Sequence, residues 1–577
     1  MKTTIRTWAS ALAFAVTAAI ITGCGSSSPP VDVVVPPPAV TAPGVALQAV
    51  VKDASTGNPV APVAPAVVTV SVYGADANKV VSYEGASIYS ATNGFAGPFT
   101  TANGYLTIYV KPGTPVPSQM ALRVVASANG YVTSSEDVVV KSTDLNSDGS
   151  TKGIDVNISL VKVSAPPPSV TVATEPVTVT AGVSPPTATT NTTPESTAVV
   201  NGSTVNLGSA TVEVPATTAI YADAAKTVPL PSGSTNLIVT YNNSVTTNSL
   251  AAFPGGFTMS QDATGTALAA PAVFVTAGFA SVELVVTAPD GTVTQAKTFD
   301  KPVSVTIPIP KGTISPATGL AVKAGDIISI WAYNSTTGAW GVLKLNNGTI
   351  VKGTLGALNA SNNTFPVTFA TDHLTYFAMG DVLAPAQQCT NAAINVIGAG
   401  TYELDFVFTK VGGGWSYQGT RPANSTRALT VPSAPAGPVT VQVYQKPAGT
   451  LINTLSVADL CASGGNSLTV TPAAIPVAGL TVTVRRVCSA NASAFTLASG
   501  VKAQVRNVDT GVLAATAITN TTGVATFSNL NLGSYVAEAV DSAGQVLATS
   551  SMTSLATGDA KSATLDISTT CSVISGG

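Results

Sequence analysis

Histidine occurs once in 577 residues, at position 373. A single imidazole excludes a histidine metal cluster and any site that needs two. Charge is scarce as well: 9% of residues are Asp, Glu, Lys or Arg, and the formal net charge is -3. No basic stripe is present to track a phosphate backbone, which excludes nucleic acid as a partner. The chain has no Gly-x-Ser-x-Gly, no phosphate loop and no paired-carboxylate cleft. The expectation is a non-enzymatic protein. Amphipathic helical periodicity is missing beyond the N-terminal leader. Apolar residues are not missing: they make up 45% of the chain. Low charge marks disorder only when apolar content is also low, so real cores are expected.

Val and Thr recur throughout, punctuated by 50 Gly and 39 Pro. β-branched residues between turn formers make short strands and tight turns. The fold class predicted is all-β, with several Ig-like or transthyretin-like β-sandwich domains in tandem after a leader. The length calls for several domains. Their expected bounds are a leader over 1–23, a Ser/Pro tether over 24–43 and a first sandwich over 44–163. A Pro/Thr-rich linker follows over 164–198, a large β-domain over 199–383, a third sandwich over 384–472 and a fourth over 473–577. The apolar stretch from Ala267 to Val286 holds Pro271, Gly278, Ser281 and Glu283. It reads as two strands, Val273-Phe274-Val275 and Val282-Glu283-Leu284-Val285, around a turn and not as a membrane span.

The N-terminus carries the most specific motif. Lys2 and Arg6 precede an apolar run from Ala9 to Ile21, and Ile21-Thr22-Gly23-Cys24 follows. This resembles the lipobox of bacterial lipoproteins. The resemblance implies cleavage before Cys24, lipidation of its thiol and attachment to the membrane through that lipid. Several acyl chains on one residue anchor firmly, whereas one binds only marginally. Gly25 stands where an Asp would favour retention in the inner membrane, so the expected place is the outer membrane of a bacterial envelope.

Cys24 leaves Cys389, Cys461, Cys488 and Cys571. An even remainder in an exported chain argues for disulfides, with three possible pairings. Cys389 and Cys461 bracket the third domain, and Cys488 and Cys571 the fourth, so pairing within each domain is favoured. A second constellation is Asp144-Leu-Asn146-Ser-Asp148-Gly149-Ser150, closing at Asp155. It resembles the calcium loop of EF-hands and dockerins. Alternating short oxygen ligands would surround the ion, Gly149 would turn the loop and Asp155 would close the shell. The alternative is a solvated hairpin turn between strands.

Asp372-His373-Leu374-Thr375-Tyr376 resembles the self-cleavage site of GAIN domains, in which His-Leu-Thr precedes an apolar strand. Ile328-Ser-Ile-Trp331-Ala-Tyr with Thr337-Gly338-Ala-Trp340, and Phe299-Asp-Lys-Pro302, are similar to segments of that family and of the related ankyrin and netrin-receptor β-domains. His373 and Thr375, two apart on a strand, share a face. The imidazole would take the hydroxyl proton while the oxygen attacks the Leu374 carbonyl. Cleavage of this kind needs a strained peptide. The alternative is a packed histidine at the end of a core strand.

Two further stretches carry resemblances. Asp53-Ala-Ser55-Thr56-Gly57-Asn58-Pro59 at the end of a strand, and Thr522-Gly523-Val-Ala-Thr-Phe527 with Leu530-Asn-Leu-Gly533-Ser-Tyr535, resemble carboxypeptidase regulatory-like and collagen-adhesin B-type modules. Those modules act as stalks or binding units. The leading expectation is therefore a surface scaffold or adhesin-like lipoprotein that meets a surface protein or a polysaccharide. The alternatives are a self-cleaving surface protein, cut between Leu374 and Thr375, and an accessory glycan-binding lipoprotein. Of the four tryptophans, Trp415 in Gly412-Gly-Gly-Trp is the one left as a candidate glycan contact under that last alternative.

Overall fold

The structure, a computed structural model, describes residues 33–34, 45–60, 67–82, 86–101, 104–111, 119–141, 152–200, 202–287, 293–334, 339–398, 403–423, 428–445, 450–472, 476–489, 491–508, 513–541, 545–570 and 573–574. These residues form an all-β chain whose one α-helix is Thr247–Ala251. Cys24, Asp144, Asn146, Asp148, Ser150 and Cys571 lie outside them, as does the side chain of Asp155. Among the described residues, no helix is long and apolar enough to cross a membrane, and no group of three or more His, Cys, Asp or Glu gathers.

The first domain is a two-sheet sandwich. Val45–Asp53 lies between Tyr105–Val110, antiparallel to it, and Lys152–Lys162, parallel to it. The facing sheet is built on Gln119–Ala128, paired with Ser134–Lys141 and Val68–Tyr73. Period-2 alternation sends Val45, Leu47, Ala49 and Val51 into one core with Val68, Val70, Leu106, Ile108 and Leu122. Each of these valines, leucines and isoleucines contributes about 1.5–3 kcal/mol on burial. The opposite face of the same strand is also covered: Ala46 and Gln48 are buried. Asp53 closes the first hairpin by accepting from the Ser55 amide at 2.8 Å and the Tyr131 hydroxyl at 3.1 Å.

The second domain begins earlier than expected. The stretch read as a linker, 164–198, contains Val170–Val177, which pairs with Ser234–Asn243, and Thr189–Thr192, which pairs with Thr211–Val214. Its prolines lie between short strands or, as Pro176 does, within the edge strand Val170–Val177, where a missing N–H is tolerated. One sheet path runs from Val170–Val177 round to Thr189–Thr192. It curls until its ends meet: the buried Asn191 amide donates to the carbonyls of Ala173 at 3.2 Å and Leu237 at 2.7 Å. The apolar stretch is a single strand, Ala267–Thr287, and not two strands around a turn. A bulge between Thr276 and Gly278 bends it without ending it. It is buried on both faces from Ala272 to Val282, which is why its sequence is a continuous apolar run and not an alternating one.

The third and fourth domains are further sandwiches. In the third, Gln388–Ile397, Leu429–Pro435 and Asn466–Thr469 face Glu403–Lys410, Ser416–Pro422, Val439–Gln445 and Thr450–Val457. Cys389 and Cys461 are bridged, their Cα atoms 5.5 Å apart. In the fourth, Val477–Cys488 runs parallel to Ala560–Thr569 and antiparallel to Val524–Asn531. Phe527 and Tyr535 are buried in its core, and the Tyr535 hydroxyl donates to the Asn531 carbonyl at 2.9 Å. Gly523 turns its hairpin at φ +69, where a Cβ would sit 2.8 Å from the Val484 carbonyl. Cys488 is disulfide-bonded and pairs in register with Thr569.

The domains fold back on one another. One hydrophobic cluster runs from Val132 and Val161 of the first domain, through Phe253, Phe274 and Trp340 of the second, into Phe406 and Phe408 of the third. The fourth domain meets the first: Tyr109 donates to the Gly500 carbonyl at 3.0 Å and Thr516 to Gln48 at 2.9 Å. Val33–Val34, from the expected tether, pairs with Val573–Ile574 near the C-terminus.

Candidate functional site

His373 ends the strand Thr364–His373, which pairs with Thr298–Pro310. Tyr376–Val382 then pairs with Ala267–Thr287 and Ile327–Asn334. The two strands are consecutive but do not pair with each other. Leu374 and Thr375 make the whole connection. Leu374 turns into the core and is 8% exposed. The Val282 amide donates to the Thr375 carbonyl at 3.0 Å, and the Thr371 hydroxyl donates to the His373 carbonyl at 2.8 Å. Both residues keep negative φ.

The side chains point to different partners. The Thr375 hydroxyl donates to the Tyr333 carbonyl. The His373 ring nitrogen Nδ1 lies 3.2 Å from an Asp372 carboxylate oxygen, and the other oxygen of that carboxylate accepts from the Asn346 amide at 2.6 Å. The ring also approaches Phe377, at 6.2 Å between centroids. An acyl shift needs the imidazole on the threonine hydroxyl and that oxygen on the Leu374 carbonyl carbon. In this arrangement the hydroxyl proton is directed at backbone and the imidazole at a carboxylate.

Tyr333 links this corner to a second cluster, one that the sequence reading missed. Its hydroxyl donates to Ser135 at 2.5 Å, and that of Tyr376 to the Thr133 carbonyl at 2.7 Å. Beside them Arg123 pairs with Asp137 through two hydrogen bonds, the Nη2–Oδ2 contact being 2.6 Å. Arg123 also reaches the Gly255 carbonyl at 3.5 Å. Burial pushes the Glu136 carboxyl up to about 8, with the Asp137 charge adding and Arg123 opposing. Burial likewise raises Glu283 to about 7, against Lys297 and a hydrogen bond from Ser281. Tyr333 rises to about 12, burial again being the main cause. Ser134-Ser135-Glu136-Asp137 has the polar composition of a solvated strand edge. Only the docking of another domain buries it.

The three described tryptophans are buried. Trp331 donates to the Gly380 carbonyl at 2.9 Å and Trp340 to the Pro254 carbonyl at 2.6 Å. Trp340 stacks on Phe253 at 4.7 Å. Trp415, the candidate glycan contact, is 2% exposed. Gly412-Gly413-Gly414 turns it inward because the turn itself is pressed against the second domain. Gly414 donates to the Ser244 carbonyl at 2.7 Å and accepts from the Thr276 amide at 2.9 Å.

The sequence matches no family profile, and no curated protein matches it. Solved structures that align with it include a leucine-rich repeat protein from Bacteroides thetaiotaomicron, at 16% identity and TM-score 0.14. That alignment spans 32% of this chain and about a quarter (26%) of the other. BcpA, the major pilin subunit of Bacillus cereus, aligns over 91% of this chain and 99% of its own, at 10% identity and TM-score 0.14. The RrgB pilus protein of Streptococcus pneumoniae aligns over 87% and 90%, at 10% identity and TM-score 0.14. Overlays with scores this low carry no argument about this chain, and the all-β assignment rests on its own sheets.

Proposed function

We propose that this chain is a non-enzymatic surface protein, a modular β-sandwich scaffold or adhesin-like unit held to a bacterial membrane by lipid on Cys24. The Cys389–Cys461 bridge carries the reading, because such bridges persist in oxidising compartments outside the cytosol. Cys488–Cys571 is the proposed second bridge, with Cys571 two residues beyond the register partner of Cys488. The hydrogen bonding supports the reading: the Thr375 hydroxyl donates to the Tyr333 carbonyl, and the described tryptophans cap backbone carbonyls or fill cores. Contact with a surface protein or a polysaccharide would then come from the Thr- and Asn-rich outer strand faces. Calcium remains proposed for Asp144, Asn146, Asp148, Ser150 and Asp155, where it would brace the end of the first domain.

Self-cleavage is the second reading. It is favoured by one observation: Leu374–Thr375 is a two-residue corner between strands that do not pair with each other. A single experiment addresses both readings. Envelope fractions from cells expressing the native chain and Cys24→Ala are run on denaturing gels and examined by mass spectrometry. The expected result is an acylated, membrane-bound, full-length native protein and a released, unacylated variant. Equal release of both overturns the lipid anchor. A band beginning at Thr375 overturns the structural role of the corner.

A further inference from the structure

We propose that the contact between the first and fourth domains is exchangeable, so that the fourth domain of one chain docks on the first domain of a second copy. The two surfaces are the outward faces of strands whose inward faces build separate cores. In the first domain, Ala46, Gln48, Thr107 and Tyr109 alternate with the core residues Leu47, Ile108 and Val110. In the fourth, Lys502 and Gln504 alternate with the core residues Ala503 and Val505. All four of the first group, and Lys502 and Gln504, are buried by the contact or beside it.

The chemistry of this contact differs from that of the other junctions. Between the first three domains an aromatic and aliphatic cluster runs through the contact, with hydrogen bonds such as Tyr333–Ser135 and Tyr376–Thr133 beside it. Between the first and fourth it is mainly polar. Thr516 bonds Gln48, Tyr109 bonds the Gly500 carbonyl, and the Lys502 ammonium lies 5.3 Å from the Tyr105 ring centroid. Gln504 donates to Glu538 at 2.6 Å just behind. Among the described residues its apolar part is small: Ile518 against Ala46, Val81 and Tyr109. Polar groups regain water when such surfaces part, so opening costs far less than splitting an apolar core. The fourth domain keeps its own core when it moves.

The geometry sets what exchange produces. The docking surfaces lie on the first and last domains, so a contact between copies is heterologous: reciprocal exchange closes a dimer, and one-way exchange runs on as a chain. Within one molecule the linker holds the fourth domain at an effective concentration on the order of mM. Dilute protein is therefore closed, and exchange appears where copies crowd to that level, as on a membrane.

The test uses full-length chains. Gln48→Cys and Thr516→Cys are made singly, with different tags, and together in one chain. The double variant in dilute solution should form a crosslinked monomer. The mixed single variants, co-reconstituted at high density in phospholipid vesicles, should form a mixed-tag disulfide dimer in clear excess over same-tag dimers, which report random collision. Ile518→Asp, on the outward face, should abolish both products while the fourth domain stays folded by circular dichroism. Mixed-tag dimers no more abundant than same-tag dimers overturn exchange. Failure of the double variant to crosslink overturns the contact itself.

Discussion

Glu136 shows how little a single residue reveals until its surroundings are known. It stands among serines and an aspartate on a strand whose neighbours read as solvent-facing, yet that strand meets another domain: Tyr333 bonds Ser135 and Tyr376 bonds the Thr133 carbonyl beside it. Its carboxyl is raised to about 8 in the folded chain from an ordinary 4.5. The folded state therefore holds the proton more tightly than the unfolded one. The associated stability is full below about 4.5 and is lost as pH rises toward 8. Glu136→Gln should flatten the fall in melting temperature between pH 5 and 8 and raise the melting temperature at pH 8. A residual slope up to about 7 should remain from Glu283. Thermal unfolding of both proteins across that range checks this, and parallel profiles would refute it. His373 and Thr375 make the complementary point. Their identity and spacing were legible, but the partners of their polar atoms, Asp372 and the Tyr333 carbonyl, were not.

At the scale of the element, the Gly412–Gly414 turn decides how the third domain sits on the second. All three residues have φ between +82 and +88, so a side chain at any of them strains the backbone by about 1–3 kcal/mol. Only two of them are also crowded. A Cβ at Gly413 would lie 2.1 Å from the Ser244 carbonyl oxygen, and at Gly414 2.6 Å from that of Thr276, whereas Gly412 has nothing within 4 Å. Gly412→Ala should cost only the strain. Gly413→Ala should cost distinctly more and open the junction to limited proteolysis around Ser244 and Gly414. Equal losses of melting temperature and equal cutting would sink this account. The run of glycines was visible in the sequence as a turn, but its role as a wedge was not, because the carbonyls it meets lie more than 130 residues earlier. Ala267–Thr287 failed in the opposite direction: Gly278 looked like a turn and is a bulge within one long strand.

For the whole molecule the distribution of cores predicts how it unfolds. The first three domains share a continuous apolar cluster, and the fourth has its own. Calorimetry should show two transitions, one for the first three domains together and one for the fourth. Truncation after residue 470 should remove the second and leave the first nearly in place, because the contact it breaks is mostly polar. One transition that falls as a unit on truncation would show that the fourth domain is coupled more tightly than its contact implies. Reduction should strike the first of these transitions, since the Cys389–Cys461 bridge closes a separation of 72 residues. Loops of that order contribute about 4 kcal/mol in the chain-entropy account.

The sequence by itself determined the all-β class and favoured the Cys389–Cys461 pairing over its two alternatives. Each of these follows from local alternation, turn chemistry or position within one domain, which a chain states in its own order. Tertiary structure alone decided that Val170–Val177 belongs to the second domain, that Trp415 is buried, that Glu136 is sequestered and that the fourth domain returns to the first. In all four cases the deciding partner is remote in the sequence: Ser234–Asn243, Ser244, Tyr417 and Gly500. A polar residue covered by another domain keeps the composition of a surface residue, so its burial is written in the packing and not in its own neighbourhood.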